Sequence, residues 1–393
     1  MKRGTSLLVL LLSAASARAE IVPGIAFREN LLYLAAPRLT APGLPNKAYW
    51  LSATFVRPTL EATYAEWNVD AALELATLAN SAGVRDIGRA QAGGSAFARG
   101  DILEWWELTA EPVREPDKNV RLRAERLKVS RSFGAFDVDL GRQPVSLGTS
   151  HFVGVLDVLA PFPPGDLDAT YKPGIDAARI RTSIGEEGEI EGIGAGAYRA
   201  RDAAGILRLR HPVRSVDVEL VGGRFRGHHF GGAGWEGDIE PFAVWGEAAL
   251  FDHPGSPKFS GVGGADYKLA ENTTLGLGYL YQAFGARRAS ELAAVALDAP
   301  YREGWAFLGG RQYAVLAAHA EPHPLIHINL SGIVSLTDGS TLWQPRLTWN
   351  AADEADVSFY GWIATGRAPE GLILRSEFGS MADGAGMYCR VFF

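Results

Sequence analysis

The sequence predicts an all-β protein, a transmembrane antiparallel β-barrel of about 16–18 strands with a polar lumen. Three observations predict this fold. Apolar residues alternate with polar or charged residues along many short runs of the chain. The amino terminus has the pattern of an export signal, and the chain ends in an apolar strand whose last residue is Phe393. Such an ending suits lipid, because the frayed terminal strand of a soluble protein would leave these side chains in water.

Residues 1–19 have the three parts of a secretory signal peptide. Met1-Lys2-Arg3 is basic, residues 7–12 are an apolar run, and Ala17-Arg18-Ala19 is an A-x-A cleavage site. The apolar run is too short to span a bilayer as a helix. We therefore predict that residues 20–393 form the mature barrel. Cleavage would remove three basic residues and no acidic one, which shifts the net charge from −7 to −10.

The composition argues against two other classes of protein. The acidic net charge disfavours nucleic-acid binding, which needs a basic face to neutralise phosphates. No run of about twenty apolar residues follows residue 19, which excludes a helical membrane protein. Hydrophobic residues make up 47 % of the chain but are dispersed, as alternation between lipid-facing and water-facing positions requires. Cys389 is the single cysteine, so an intrachain disulfide is excluded.

The first part of the mature chain gives a mixed pattern. Residues 20–46 contain four prolines and are expected to be irregular or an edge segment. Alternating runs at residues 59–64 and 69–76 predict two strands. A long loop is predicted over residues 79–100. The adjacent Trp105 and Trp106 would point to opposite faces of a strand.

Residues 121–129 alternate in two phases that conflict. Arg121, Arg123 and Glu125 share one face, but Leu127 and Val129 would then lie on the same face as these charges. A β-bulge near residues 125–126 would restore the register, so we predict one there.

From residue 136 onward the alternating runs recur at regular intervals. The clearest run is residues 325–336, in which Ile326, Ile328 and Leu330 oppose His327 and Asn329. Short turns alternate with longer loops, and aromatic residues lie toward the ends of runs, as the interfacial girdles of a barrel require. No signature repeats every 40–50 residues, which argues against a propeller.

One interior stretch carries a resemblance to a known family. It comprises residues 141–148 (Gly-Arg-Gln-Pro-Val-Ser-Leu-Gly), Pro161-Phe162, residues 166–168 (Asp-Leu-Asp) and residues 171–177 (Tyr-Lys-Pro-Gly-Ile-Asp-Ala). Together they resemble a motif of porin-like outer-membrane barrels of Gram-negative bacteria, nearest the alginate-export type. The resemblance covers about residues 120–182 and implies the barrel class rather than a particular substrate.

The last strand carries a second resemblance. Met387, Cys389, Val391 and Phe393 fall on one face, as in the terminal strand of Gram-negative outer-membrane barrels, where that strand serves as the assembly signal. The resemblance implies that Phe393 and Val391 are read by the barrel-assembly machinery. That machinery and outer-membrane lipid are then the expected partners.

Two long connections are candidates for functional loops. Residues 149–170 have an apolar middle and a proline-rich end with Asp166 and Asp168. Such a segment either packs on the outer rim or folds into the lumen and narrows it. We favour the second, with the two aspartates as constriction residues near Arg179 and Arg181. In the second connection, residues 286–307, Ser290 could cap a short helix over residues 291–297, and the connection is either a lid or a surface loop.

The predicted function is an outer-membrane channel, a porin or exporter-like pore for small hydrophilic or polysaccharide solutes, without catalysis or a cofactor. Charges facing each other across an eyelet would orient polar solutes, so we expect arginines on one wall and acids on another. Arg142 is the weakest candidate, because it shares a face with Leu140 unless the strand ends or bulges there. The candidate pore-lining residues are Arg121, Arg123, Arg142, Arg179, Arg181, Arg208, Arg210, Arg346, Asp137, Asp139, Asp217, Glu219 and Glu247.

Two further functions stay open, an outer-membrane barrel enzyme and an adhesion or assembly barrel without a pore. Ser150-His151 is the one adjacent pair that could serve catalysis, and spacing fixes no carboxylate beside it. A conductance measurement separates the channel from both alternatives.

The eight histidines predict no metal site. His228 and His229 are neighbours on a strand and point in opposite directions. His323 and His327 have the spacing of a helix, but Pro322 prevents a helix there.

Overall fold

The computed structural model describes residues 20–39, 45–83, 102–164, 171–253 and 255–393. The predicted signal peptide, Asp166 and Asp168 lie outside these residues. Within them the chain forms one antiparallel sheet of 19 strands and two single-turn helices, α1 (Leu292–Val295) and α2 (Ala299–Arg302). The strands are β1 (Glu20–Leu34), β2 (Tyr49–Tyr64), β3 (Trp67–Asn80), β4 (Thr109–Arg114), β5 (Lys118–Phe133), β6 (Phe136–Gln143), β7 (Ile175–Ile184), β8 (Gly188–Ala195), β9 (Ala204–Val213), β10 (Val216–Phe225), β11 (His228–Ile239), β12 (Phe242–Phe251), β13 (Lys258–Ala270), β14 (Thr273–Gln282), β15 (Gln312–His323), β16 (Ile326–Ser335), β17 (Thr341–Ala352), β18 (Ala355–Thr365) and β19 (Gly384–Phe392).

The sheet closes on itself into a barrel. β1 pairs with β2 along one edge and with β19 along the other, with Ala26 opposite Phe392. Every other wall strand pairs with its neighbours in the chain, except that β3 pairs with β5 and leaves out the short β4. The wall therefore has 18 strands, the upper figure expected from the sequence. Among the described residues no helix is long and apolar enough to cross a membrane.

The two faces of the wall differ in composition. In β16, Ile328 and Leu330 are 42 % and 40 % exposed, and they belong to a large set of exposed leucines, isoleucines and aromatic residues on the wall strands. Asn329 and Ser331, on the opposite face, form hydrogen bonds with His319 and Gln344. In a closed barrel these faces are the outside and the interior, so the barrel has an apolar exterior and a polar interior.

Among the described strands, every long connection lies at one end of the barrel, and the turns at the other end are all short; the two-residue turn 226–227 is the one tight turn at the long-connection end. The short turns include residues 65–66, 134–135, 214–215 and 353–354. The first and last strands meet at this same end, where Ile25 and Phe393 exchange backbone hydrogen bonds of 3.0 and 2.9 Å. The short turns of outer-membrane barrels face the periplasm.

β1 differs from the prediction made for residues 20–46. Residues 20–34 form a complete strand, although four prolines suggested an irregular or edge segment. Pro23 is tolerated because the ladder to β19 begins at Ala26, so at Pro23 the strand is paired only on its β2 side.

The bulge predicted near residues 125–126 is present. The pairing between β3 and β5 shifts so that Leu73 faces Ala124 and Ala72 faces Arg126, which leaves Glu125 without a register partner. The shift keeps both Leu122 and Leu127 exposed on the outer face.

A break in the wall occurs where β6 ends at Gln143. Residues 103–114 fill it, since β4 pairs with the continuing part of β5 and Leu103 O accepts a hydrogen bond from Asp176 N. Trp105 and Trp106 were expected on opposite faces, but their exposed rings stack at 5.9 Å. The prediction was wrong because these two residues form a bend, and both their N–H groups donate to the Asp176 carboxylate rather than to a strand ladder.

Candidate functional site

The connection after β6 folds into the barrel. Val145, Leu156 and Leu159 are buried in one apolar cluster with Ile193 of β8 and Val221 of β10. These two wall residues lie on the inner face, because they alternate with outward residues of the same strands. Of the two alternatives for residues 149–170, the structure shows the inward one for the described part, residues 149–164, which continues residues 144–148.

A single carboxylate holds this inward segment through its backbone. Glu247 Oε1 accepts hydrogen bonds from Thr149 N (2.7 Å) and Ser150 N (2.6 Å), and Oε2 accepts from Val155 N (2.6 Å) and Leu156 N (3.0 Å). An irregular segment has no ladder to satisfy its N–H groups, so it needs such an acceptor once it is buried. Glu247, expected to line the pore, instead anchors the inward segment.

Glu219 fixes the start of the same segment. Its Oε1 accepts from Gly148 N at 2.8 Å, and its Oε2 accepts from Arg210 Nε at 2.8 Å. Gly148 has φ of +88°, and a Cβ there would lie 2.2 Å from Glu247 Oε1. Only glycine therefore lets the backbone approach both carboxylates.

The inner wall below the segment carries a buried network of charges. Glu191 is 0 % exposed, and its two oxygens each accept an arginine at 2.5 Å, Arg179 on Oε1 and Arg208 on Oε2. Arg208 Nη1 also donates to Ser146 O of the inward segment at 3.1 Å. The network therefore joins three wall strands to the inward segment.

Nearby ion pairs are closer to water. Arg181 Nη2 lies 2.6 Å from Asp139, and the Arg181 and Arg210 side chains are 30 % and 47 % exposed. On the same sector, Arg121 pairs with Glu74 at 2.9 Å. Arg123 pairs with Glu104 at 2.6 Å. The acids and arginines thus alternate on one sector of the wall.

The expectation of an arginine wall facing an acidic wall is therefore wrong. Glu191 stands opposite Arg208 in the register, and Glu219 stands opposite Arg210, so opposite charges are neighbours across each strand pair. Arg346 lies on a different sector of the wall from the other predicted arginines. It lies on β17, half-buried, nine strand positions around the 18-strand wall from β8 and thus on the opposite side.

Two of the predicted acids have less of a role in this network. Asp137 accepts a hydrogen bond from Ser132 Oγ at 2.5 Å beside the short β5–β6 turn. Asp217 is exposed near the β9–β10 turn, opposite Pro212 and Glu236 in the register.

Arg142 does not line the interior. Its side chain is 1 % exposed and forms hydrogen bonds with both Asp176 oxygens, with Ala124 O and with Trp106 O. It occupies the break where β6 ends, between β5, β7 and the filling residues 103–114. Arg142 thus fills the gap in the wall that opens where β6 ends, one residue later, and its ion pair with Asp176, its register partner on β7, holds it there.

The connection between β14 and β15 also contacts the interior rather than forming a simple surface loop. Its Tyr301 and Trp305 pack in the cluster that buries the inward segment. Gly309 N donates to Glu377 Oε1 at 2.7 Å, and Tyr313 Oη donates to Glu377 Oε2. Burial raises the pKa of Glu377 to about 7, so this junction between loops titrates near neutral pH.

The short helix predicted in this connection is only partly present. The helical turn α1 falls within the expected residues 291–297. Ser290 does not cap it, since the residue at the N-cap is Glu291 and no side chain forms the capping hydrogen bond.

Ser150 and His151 also serve the inward segment. The two ring nitrogens of His151 lie 2.9 Å from Asp266 Oδ2 and 3.2 Å from Glu236 Oε1. Ser150 Oγ accepts from Phe152 N. His151 therefore holds the segment against β11 and β13, while the Ser150 hydroxyl stabilises a bend within the segment.

A closed antiparallel barrel with an apolar outer face and an inward loop defines a porin-type fold. Solved structures with similar folds include OccAB3 of Acinetobacter baumannii (TM-score 0.57, 11 % identity, 95 % of this chain and 99 % of that chain covered). OccK5 (OpdH) of Pseudomonas aeruginosa (0.59, 10 %, 94 % and 98 %) and a BenF-like porin from Pseudomonas fluorescens Pf-5 (0.55, 9 %, 95 % and 98 %) are similar as well. No protein-family model and no curated protein sequence matches the chain. The likeness is one of fold.

Proposed function

We propose that this chain is an outer-membrane channel of a Gram-negative bacterium that passes small hydrophilic solutes. The observation that carries the proposal is a closed barrel whose apolar face is outside and whose inner wall bears ion pairs with partly exposed arginines, such as Arg181–Asp139 and Arg210–Glu219. Such a wall offers polar solutes hydrogen bonds in exchange for those with water. The fold likeness to a BenF-like porin supports the proposal.

The proposed cargo is small solutes rather than polysaccharide. The structures named above do not support a nearest relationship to the alginate-export type, which was the ground for considering polysaccharide. Catalysis and a cofactor form no part of the proposal.

The test is conductance in planar lipid bilayers. Purified folded protein is expected to give stepwise current increments in KCl, while heat-unfolded protein at the same detergent concentration gives none. Folded protein that never conducts would contradict the proposal and favour the enzyme or adhesion alternatives.

Ion preference is expected to depend on Arg179 and Arg181. Replacing both with glutamine leaves Glu191 and Asp139 with fewer cationic partners, so the interior becomes more negative. The reversal potential in a KCl gradient should then shift toward cation preference. The matched control is Arg181→Gln with Asp139→Asn, which removes a pair and keeps the net charge. An equal shift in both variants, or none in either, would argue that these arginines lie off the ion path.

We further propose that residues 1–19 are removed as a signal peptide and that Phe393 and Val391 act as the assembly signal for the barrel-assembly machinery. Deleting Phe393 removes its two backbone hydrogen bonds with Ile25 and leaves Phe392, which points to the other face of the closing strand, as the terminal residue. The deletion is expected to lower the amount of heat-modifiable barrel in outer-membrane fractions. Tyr198→Ala, at an exposed residue of a long connection, is the control. Normal accumulation of the deleted form would contradict the assembly role.

A further inference from the structure

A cluster of nitrogen and oxygen ligands lies on the inner face beside the turn between β15 and β16. His319 and Glu321 come from β15, and His327 comes from β16. One ligand atom from each lies within 4.8 Å of the other two. The site is at the short-turn end of the barrel, so it lies apart from the inward segment and its anchors.

Two imidazole nitrogens converge on one carboxylate oxygen. His319 Nε2 and His327 Nδ1 each lie 3.1 Å from Glu321 Oε1. The two rings are nearly parallel, with centroids 6.2 Å apart. All three side chains are partly exposed, so a solvated ion can reach them.

The outer nitrogen of each ring is held by an asparagine. His319 Nδ1 lies 2.9 Å from Asn329 Oδ1, and His327 Nε2 lies 3.1 Å from the Asn350 carboxamide. Where Asn329 presents Oδ1 to His319 Nδ1, an N–H on Nδ1 satisfies it, and the lone pair of neutral His319 is then on Nε2, directed at the Glu321 carboxylate. The lone pair of His319 Nε2 then faces a lone pair of Glu321 Oε1 at 3.1 Å, and these two atoms need a proton or a metal ion between them. The Asn350 carboxamide can present either its oxygen or its nitrogen and so fits either tautomer of His327.

We propose that His319, Glu321 and His327 bind a divalent first-row transition metal ion such as Zn²⁺ at the short-turn mouth of the barrel. Two imidazoles and one carboxylate suit Zn²⁺, Ni²⁺ or Cu²⁺, whereas Mg²⁺ and Ca²⁺ prefer oxygen ligands alone. Metal–ligand distances of about 2.0–2.2 Å require the exposed Glu321 carboxylate to move aside as the ion enters. Asn329 acts as a positioning residue, since it fixes the ring orientation and tautomer of His319.

The sequence pointed away from this site for a definite reason. The spacing along the chain suggested His323 as the partner of His327. The hairpin register instead places His319 opposite Asn329, so that His319 lies beside His327 on the inner face. Metal ligands on a hairpin are set by this register rather than by spacing along one strand.

The test is Zn²⁺ binding by calorimetry to tag-free folded protein in detergent, because a histidine tag would itself bind the probe. One Zn²⁺ per barrel is expected, with affinity at least tenfold weaker in His319→Ala, Glu321→Gln and His327→Ala. Asn329→Ala should weaken affinity by about 10–100-fold. His211→Ala, at another short turn, is the matched control and should bind as the parent does. Heat-modifiable migration in gels verifies that each variant is folded.

Two results would overturn the site. One is a folded parent that takes up no Zn²⁺ at millimolar concentration. The other is stoichiometric binding that survives loss of both His319 and His327. Because binding is measured without a bilayer, its outcome is independent of whether the barrel conducts.

Discussion

Replacing residues 149–170 with a short Gly/Ser turn is expected to raise single-channel conductance severalfold. The described part of this segment, residues 149–164, packs on the inner wall and is held by Glu247 through four backbone hydrogen bonds. The resistance of a channel concentrates at its narrowest part, so removing an inward segment should lower it sharply. The measurement is the step size in planar bilayers in KCl, compared with the parent protein.

A second shortened loop provides the control. Residues 368–374 belong to a connection at the same end of the barrel, and Leu372 and Ile373 there are strongly exposed. Shortening this tip should leave the conductance unchanged. If the two shortened proteins conduct alike, the inward segment does not limit the flow of ions.

Leu330→Arg is expected to destabilise the barrel in lipid by about 2–4 kcal/mol, the cost of a cationic side chain on the lipid face near the bilayer midplane. Leu330 lies in the middle of β16 on the exposed apolar face. The measurement is equilibrium unfolding by guanidinium chloride in lipid vesicles, in which the midpoint and the slope of the transition give the free energy of unfolding.

The neighbouring residue supplies the comparison. Ser331 points inward, where its hydroxyl donates to Gln344, so Ser331→Arg should cost much less than Leu330→Arg. Equal losses in the two variants would mean that β16 has no lipid-facing side, and the membrane barrel would then be the wrong interpretation.

Much of the fold follows from the sequence, because it depends on side-chain alternation along each strand. The alternation of Ile328 and Leu330 with Asn329, and the conflict between Arg123 and Leu127, gave the faces of β16 and the bulge in β5. Both predictions use only neighbours along the chain. Residues 20–34 were missed because Pro23 and the prolines that follow the strand were judged from the local sequence, whereas the tolerance of Pro23 depends on which edge of the strand is paired.

The interior was harder to predict because its contacts join distant parts of the chain. Arg179 was visible as a charged residue on an alternating run, but its pairing with Glu191 depends on the register of two strands. Asp176, Glu104 and Glu377 were missed altogether as functional positions. Asp176 lies at the start of a strand and the other two lie in connections, where no periodicity marks a carboxylate that accepts hydrogen bonds from the backbone or from an arginine.

The closure between β1 and β19 has a consequence for how the chain reaches this fold. The seam joins residues far apart in sequence, and Tyr360 Oη donates across β19 to Asn30 Oδ1 over a separation of 330 residues. Loop-closure entropy grows only logarithmically, so this contact costs about 3–4 kcal/mol more than closing a turn of five residues. That cost is small beside a ladder along the length of a strand. The large sequence separation instead affects the folding rate, because a contact order this high makes spontaneous closure of the barrel slow. Until the seam forms, two open strand edges can pair with other chains, so the hazard for this barrel is aggregation before closure rather than instability after it.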